Sequence, residues 1–102
     1  MNIYEDIIGR KDDQEKLQWH LMPWDQMEEV VKVLMAGAKT YGDYNWKNVK
    51  ELKERYSNAL IRHAVKYQKG ETIDPQFGLN HMAHAICCAL FCMWSDMNAT
   101  QN

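Results

Sequence analysis

The stretch LNHMAHAICCALFCMWSDM, residues 79–97, decides the fold class. From Ala85 to Trp94 every residue is apolar, so a helix over this part of the segment has no polar face to expose to water. The run is also well short of the roughly 20 residues that a membrane-spanning helix needs. The pattern predicts a helix over about Leu79 to Met97, in the centre of a small core or at an interface between chains.

Two amphipathic helices are predicted upstream of this segment. The first runs roughly over residues 24–38 and the second roughly over 49–69, because apolar residues recur at helical spacing in both. Gly42 and Gly70 stand where the two helices are expected to stop. No alternation of period two indicates a strand. We therefore expect an all-α protein, a bundle of three main helices preceded by an N-terminal arm over residues 1–22.

Length, composition and charge narrow the class of protein. A chain of 102 residues fits one domain, 1–102, and its small size favours association between chains to bury more apolar surface. With 46% hydrophobic residues, a formal charge of −2 and no basic arm, we expect a folded chain that binds neither a nucleic-acid polymer nor a membrane. The N-terminus lacks the pattern of a signal peptide. Three cysteines close together on one predicted helix suit a reducing cytoplasm.

Acidic residues gather at the start of the first predicted helix. Asp25, Glu28 and Glu29 lie within about one turn of one another. Hard divalent cations such as Mg²⁺ and Mn²⁺ prefer carboxylate oxygens and often bind together with substrate phosphates. Acids are equally typical of a solvated first turn, where they interact favourably with the helix dipole. The pattern leaves both interpretations open.

Cationic residues repeat along one side of the second predicted helix. They are Arg55, Arg62, Lys66 and Lys69. With Lys39 from the first helix they are candidates for binding phosphate, because arginine offers a planar fork of donors and lysine a compact charge. A solvated face paired with neighbouring glutamates is the alternative. Glycine-rich phosphate loops of the G-x-x-x-x-G-K-[ST] and G-x-G-x-x-G types are absent from the sequence.

Histidines cluster in the second half of the chain. His81 and His84 stand at i and i+3 on the third predicted helix, where imidazoles at helical spacing are candidate metal ligands. His63 lies on an apolar face, which favours a core histidine. Glu71 and Asp74 come just upstream of the pair and are candidates to orient the imidazoles or to bind a cation. Asp74 could equally be a turn residue.

Two groups of motifs resemble a known family. The first comprises KLQWHLMPW at 16–24, EEVVKVL at 28–34 and GAKTYGDYNW at 37–46. The second comprises ALIRH at 59–63, GE at 70–71, Asp74 and GLNHMAHA at 78–85. Over roughly residues 14–95 the chain is similar to the phage-type dATP/dGTP diphosphohydrolases (the MazZ group) of the MazG-like superfamily of all-α nucleotide pyrophosphohydrolases.

The resemblance implies an enzyme that cleaves dGTP and dATP between the α and β phosphates, giving the monophosphate and pyrophosphate. The superfamily uses Mg²⁺ or Mn²⁺ held by E-E-x-x-E and E-x-x-D motifs. Glu28 and Glu29 match the first two acids, but Lys32 stands at the third, and His81 and His84 occupy the E-x-x-D spacing. The implied catalytic residues are therefore Glu28, Glu29 and His84. The implied metal ligands are Glu28, Glu29, Asp74, His81 and His84.

The resemblance also implies the substrate contacts and the setting. The phosphate-binding residues would be Lys39, Arg62 and Lys66. The purine-binding residues would be Trp19, Asn45 and Trp46. Family members assemble as homodimers or homotetramers whose helices complete one bundle, and in phages they supply dGMP for 2-aminoadenine DNA, in the host cytoplasm.

Two other functions compete with this interpretation. One is a histidine-and-aspartate metal phosphohydrolase that removes the whole triphosphate, using His63, Asp74, His81 and His84. That class uses an adjacent His-Asp pair, which the sequence lacks. The other is a non-catalytic helical interaction module with the apolar third helix as its dimer face.

Overall fold

The computed structural model describes Gly9 and residues 11–99, and three α-helices dominate it. The helices are α1 (Trp24–Tyr41), α2 (Leu52–Gln68) and α3 (His81–Ala99). Short 3₁₀ turns cover Trp19–Leu21 and Asn45–Asn48, and two-residue strands cover β1 (Ile73–Asp74) and β2 (Leu79–Asn80). The predicted all-α class with three main helices is confirmed. Residues 1–8 and 10 of the predicted arm, and the last three residues of the predicted domain, lie outside the described residues.

The first two helices differ from their predicted limits. Helix α1 continues to Tyr41, three residues past the predicted end, and stops where Gly42 takes a positive φ of 95° while its N–H donates to the Ala38 carbonyl. A residue with a Cβ would be strained in that conformation. Helix α2 begins at Leu52 instead of residue 49, because Glu51 before it has a left-handed φ of 55° that the helix cannot continue.

A short antiparallel hairpin precedes α3, and the expectation that the chain lacks strands was wrong. Ile73 pairs with Asn80, and Asp74 pairs with Leu79. Strands of two residues are too short to show an alternating pattern, so periodicity could not reveal them. As a result α3 begins at His81, two residues later than predicted, and the Asn80 side chain accepts a hydrogen bond from the N–H of Met82 at 2.7 Å.

The core forms around α3, which packs against both α1 and α2, as its apolar middle predicted. Its buried apolar residues are Val30, Leu52, Ala83, Cys87 and Phe91. Phe91 stacks on Trp46 with 4.3 Å between ring centroids and meets the edge of Tyr56 at 4.8 Å. Burial of each large apolar side chain contributes roughly 1.5–3 kcal/mol. The main contacts of α1 are with α3 and β2, so α3 is the element that ties the bundle together.

Much apolar surface stays exposed on this chain. Among the side chains concerned are Trp19, Leu21, Trp24, Val31, Met35, Tyr41, Ile61, Met93 and Met97. Val31 is one of the apolar residues that recur at helical spacing in α1, yet 49% of it is accessible. A second chain covering α1 is one way to bury this surface, and the predicted homo-oligomer stays a prediction. Within residues 11–99, none of the helices is long and apolar enough to span a membrane.

Candidate functional site

Asp74 is fixed by the hairpin turn beside the start of α3. Its Oδ1 accepts a hydrogen bond from the backbone N–H of Gln76 at 2.9 Å, and its carbonyl oxygen accepts one from Gly78 at 2.7 Å. Gly78 has a positive φ of 72°, which suits glycine at the close of such a turn. The carboxylate is buried, and its Oδ2 lies 3.6 Å from His84 Nε2. Asp74 therefore both shapes the turn and presents an oxygen to α3.

His81 sits at the first position of α3 and is completely buried. Its backbone N–H donates to the Thr72 carbonyl at 3.0 Å, so the hairpin holds the start of the helix. Its Nδ1 is 2.8 Å from His63 Nδ1 on α2. On the other side of the ring, Nε2 lies 3.7 Å from Glu71 Oε1. His81 thus connects α2 to the segment that leads into the hairpin.

The three imidazoles are packed against one another. His63 stacks on His84 with a centroid separation of 4.7 Å and an angle of 8° between planes, and its ring centroid is 5.1 Å from that of His81. Phe77, in the hairpin turn, covers His84 at 5.6 Å. We call His63, Asp74, His81 and His84 the histidine–aspartate cluster. Contacts from α2, the hairpin and α3 are all needed to assemble it.

Two ring nitrogens of this cluster are buried without a hydrogen-bond partner among the described residues. They are Nε2 of His81 and Nε2 of His84, and the carboxylates that face them are slightly too distant for a hydrogen bond. A buried polar atom left unpaired costs about 1–3 kcal/mol, which favours a bound ligand or ion as the missing partner. In the described part of the chain, His63, Asp74 and His81 form a group whose donor atoms all lie within 4.8 Å of one another.

Burial favours the neutral form of two imidazoles of the cluster, those of His63 and His84. Desolvation, reinforced by the neighbouring rings of His84 and His81, lowers the pKa of His63 to about 4. Desolvation also lowers the pKa of His84, although the nearby charge of Asp74 opposes the shift. A neutral imidazole has a free lone pair on one nitrogen. At neutral pH these rings can therefore bind a metal ion or accept a proton.

The predicted acids on α1 are not part of that donor group. Glu28 is exposed, and Glu29 is partly buried and forms an ion pair with Lys32 at 2.7 Å. Lys32 stands at the third position of the superfamily's acidic motif. A positive charge therefore lies beside the first two acids, where the motif has a third carboxylate. Neither glutamate is a member of the group that brings donor atoms together. Their predicted role in metal binding and catalysis stays a prediction.

Two adjoining cavities are present, and one of them contacts the cluster. An apolar cavity of about 570 Å³ is lined mainly by α1, α3 and the loop between α1 and α2, and His84 forms part of its wall. A second cavity of about 510 Å³ is lined by Arg55 and Arg62 of α2. The two share Tyr41, Asn45 and Tyr56. The apolar cavity therefore has His84 of the cluster in its wall and adjoins the cavity that is lined by the two arginines.

The predicted purine-binding residues fall in different places. Asn45 lines both cavities. Trp46 lines the apolar cavity but packs within the core, with its ring stacked on Phe91, so that face is not available to a purine. Trp19, in the arm, stacks on Trp24 at the start of α1 with 6.4 Å between ring centroids, and it is absent from the described lining of both cavities.

The predicted phosphate-binding residues are also spread apart. Arg62 lines the cationic cavity. Lys39 is exposed in the last turn of α1, outside the described lining of either cavity. Lys66 is exposed near the end of α2, close enough to His63 for its charge to help lower that pKa. The structure adds Arg55, which shares the cationic wall with Arg62.

Neither Cys87 nor Cys88 belongs to the donor group found among the described residues. Burial raises the pKa of Cys87 to about 12 and that of Cys88 to about 11. Both are therefore neutral thiols at physiological pH, whereas the thiolate is the form that binds metals and attacks substrates. Cys87 donates instead to the Val30 carbonyl at 3.5 Å, which joins α3 to α1.

For His63 the sequence interpretation favoured a core role and gave it a site role only in the competing triphosphate-releasing reaction. It lies on the apolar face of α2, as predicted. Its ring packs against the imidazoles of His81 and His84 instead of against aliphatic side chains. Its position directly after Arg62 could have indicated a site role. Adjacent residues on a helix point about 100° apart, so a phosphate-binding arginine and a histidine next to it can belong to two neighbouring sites. Phe77 offered no such signal.

The fold and this site define a class: a helical domain with a metal-capable histidine–aspartate cluster beside a cavity of nucleotide size. The family model for the N-terminal domain of dATP/dGTP diphosphohydrolases matches residues 7–102, and the chain belongs to this family. The predicted family is thereby confirmed.

A curated relative matches most of the chain. It is a dATP/dGTP diphosphohydrolase of Salmonella phage PMBT28, 37% identical over 88 residues, which is 86% of this chain. The chain spans 30% of the length of that relative. No solved structure matches the chain.

Proposed function

We propose that this domain takes part in the hydrolysis of dATP and dGTP between the α and β phosphates. Water adds to the α-phosphorus, the bridging P–O bond breaks, and the products are the deoxynucleoside monophosphate and pyrophosphate. Family membership over residues 7–102 supports the reaction class. The observation that carries the proposal for this chain is the apolar cavity of about 570 Å³ whose wall includes His84 of the cluster.

Each part of the nucleotide has suitable surroundings. The purine would occupy the apolar cavity, where Leu34 and Leu90 exclude water and the Asn45 amide offers both a donor and an acceptor to the base. Arg55 and Arg62 would bind phosphate oxygens, because guanidinium groups pair with phosphate through two parallel hydrogen bonds. Lys39 and Lys66, exposed at the helix ends, would add charge that attracts the polyphosphate.

The donor set fits a divalent ion, and Mn²⁺ better than Mg²⁺. Asp74 and His81 would hold it at the cluster, with His63 or His84 as the third donor. Glu28 and Glu29 supply the all-oxygen surroundings that Mg²⁺ prefers. A bound ion supplies positive charge that offsets the negative charge building up on the phosphates. With His63 as the third donor, the Nε2 of His84 would be free to accept the proton of the attacking water.

We further propose that the working form is a homodimer or homotetramer. The exposed apolar residues of α1 give it a surface that association would bury, and a second chain could bring Glu28 and Glu29 to a neighbour's cluster. If the chain acts in a phage-infected cell, it would do so in the host cytoplasm, removing dATP and releasing dGMP for 2-aminoadenine DNA.

The test is a panel of nucleotides with Mg²⁺ and with Mn²⁺, the products being separated by chromatography. We expect dGMP or dAMP together with pyrophosphate. The Glu29→Gln variant is expected to lose turnover while keeping its helical circular dichroism. Lys32→Gln breaks the same ion pair from the other side and serves as the matched control, with activity retained. A near-normal rate in Glu29→Gln would remove that glutamate from the mechanism, and no turnover of any nucleotide would favour a non-catalytic interaction module.

A second candidate reaction has one observation in its favour. The four residues that a triphosphate-releasing metal phosphohydrolase would use, His63, Asp74, His81 and His84, are adjacent in the structure. The same chromatogram separates the two reactions. Tripolyphosphate with free deoxynucleoside supports the second candidate, whereas pyrophosphate with the monophosphate supports the first.

A further inference from the structure

We propose that His63, Asp74 and His81 form a binding site for one transition-metal ion of the Mn²⁺, Co²⁺ or Zn²⁺ class, and that this site discriminates against Mg²⁺. Glu71 acts in it as a positioning residue for His81. The inference deepens the proposed function and rests on it for its catalytic purpose. The site itself is formed by side chains of this protein, so metal binding can be tested without a nucleotide.

The distance between the two imidazoles fits a shared ion. His63 Nδ1 and His81 Nδ1 are 2.8 Å apart. Two nitrogens bound at about 2.0–2.1 Å to one ion, at angles between octahedral and tetrahedral, are separated by roughly 2.9–3.4 Å. The rings therefore need to spread by only a few tenths of an ångström to admit an ion. Asp74 already has a carboxylate oxygen within 4.8 Å of one ring nitrogen of each of these histidines.

The hydrogen bonding of His81 also supports an ion bound to its Nδ1. If His81 Nδ1 donates to His63, its Nε2 is a bare acceptor facing the Glu71 carboxylate, which is repulsive. If His81 Nδ1 accepts instead, Nε2 carries the proton but has no hydrogen-bond partner within 3.5 Å. An ion on Nδ1 fixes the proton on Nε2, where it points towards Glu71 Oε1, 3.7 Å away. Metal-binding histidines commonly direct their second nitrogen at a carboxylate in this way.

The chemistry of the donors determines which ion is bound. Two imidazole nitrogens and one carboxylate suit borderline first-row ions, whereas Mg²⁺ prefers oxygen ligands and retains its water. Burial of the site also disfavours Mg²⁺, because His81 is fully buried and Asp74 is nearly so. An ion that enters must exchange much of its hydration shell for these three side chains. Mg²⁺ does so reluctantly.

The test is direct metal binding by the full chain without nucleotide. Chelator-stripped protein is titrated with Co²⁺ while heat and visible absorption are recorded, and the titration is repeated in excess Mg²⁺. We expect one Co²⁺ per chain, not displaced by a roughly 100-fold excess of Mg²⁺. In the wild-type chain, Co²⁺ is expected to shift the ring resonances of His63 and His81 and to leave those of His20 unchanged. That measurement requires no variant to fold.

Three substitutions complete the test. His63→Gln is expected to weaken Co²⁺ binding by at least ~100-fold, and Glu71→Gln, which acts through His81, by roughly 10-fold. His20→Gln replaces the histidine outside the cluster, on the 3₁₀ turn before α1, and is the matched control with unchanged affinity. Wild-type affinity in a folded His63→Gln, unshifted His63 and His81 resonances, or displacement by equimolar Mg²⁺ would overturn the proposal. Intact Co²⁺ binding without nucleotide turnover would refute the proposed function and leave the metal site standing.

Discussion

Val30→Ala tests how α1 is oriented against α3. Val30 is 1% exposed and lies in the core that also contains Cys87 and Phe91. The substitution removes two carbons, which costs about 1.6 kcal/mol in transfer free energy at ~0.8 kcal/mol each, and the remaining cavity raises this to roughly 2–3 kcal/mol. For a chain of this size each kcal/mol lowers the melting temperature by about 4–8 °C. We therefore expect a fall of at least ~8 °C, measured by circular dichroism.

Val31→Ala is the matched control for this prediction. It removes the same atoms from the next residue on α1, which is 49% exposed in the single chain. We expect it to cost less than about 1 kcal/mol when unfolding is followed at low protein concentration. Equal losses in the two variants under those conditions would refute the orientation of α1 described above. A Val31 effect that grows with protein concentration would instead locate an interface between chains on that face.

Three further predictions concern the site and the thiols. Because burial lowers the pKa of His63 to about 4, the unfolded chain binds more protons below pH 6.5. The free energy of unfolding should therefore be at its full value above pH 6.5 and should fall as the pH is lowered towards 4. Urea unfolding in the presence of a chelator measures this fall, and the fall should be smaller in the His63→Gln variant. Arg62→Gln should raise KM for dGTP roughly 10-fold or more in steady-state assays, whereas Lys53→Gln, on the same helix but outside the cavity lining, should leave it unchanged. In the native chain a thiol reagent should modify Cys92 before Cys87, as read by mass spectrometry, since Cys87 is buried with a pKa of about 12; faster modification of Cys87 would contradict its burial.

The sequence by itself determined the helical class and the family. Helical periodicity is a local property, so the apolar run of residues 85–94 and the two amphipathic stretches were enough to predict three helices. The motifs around residues 37–46 and 78–85 led to the family that the family model confirms. Helix limits were less well predicted, because left-handed residues such as Glu51 end or delay a helix without changing its periodicity.

Only the tertiary structure decided which residues meet at the site. His63 and His81 are separated by 18 positions, and their 2.8 Å contact exists because α2 packs against α3. Asp74 reaches His84 through a hairpin too short to leave a pattern in the sequence. Trp46, predicted to contact a purine, lines the apolar cavity, and one face of its ring stacks on Phe91. Periodicity specifies which side of each helix is apolar. The packing angle and depth of two helices, which determine the contacts, depend on side-chain shapes contributed by both.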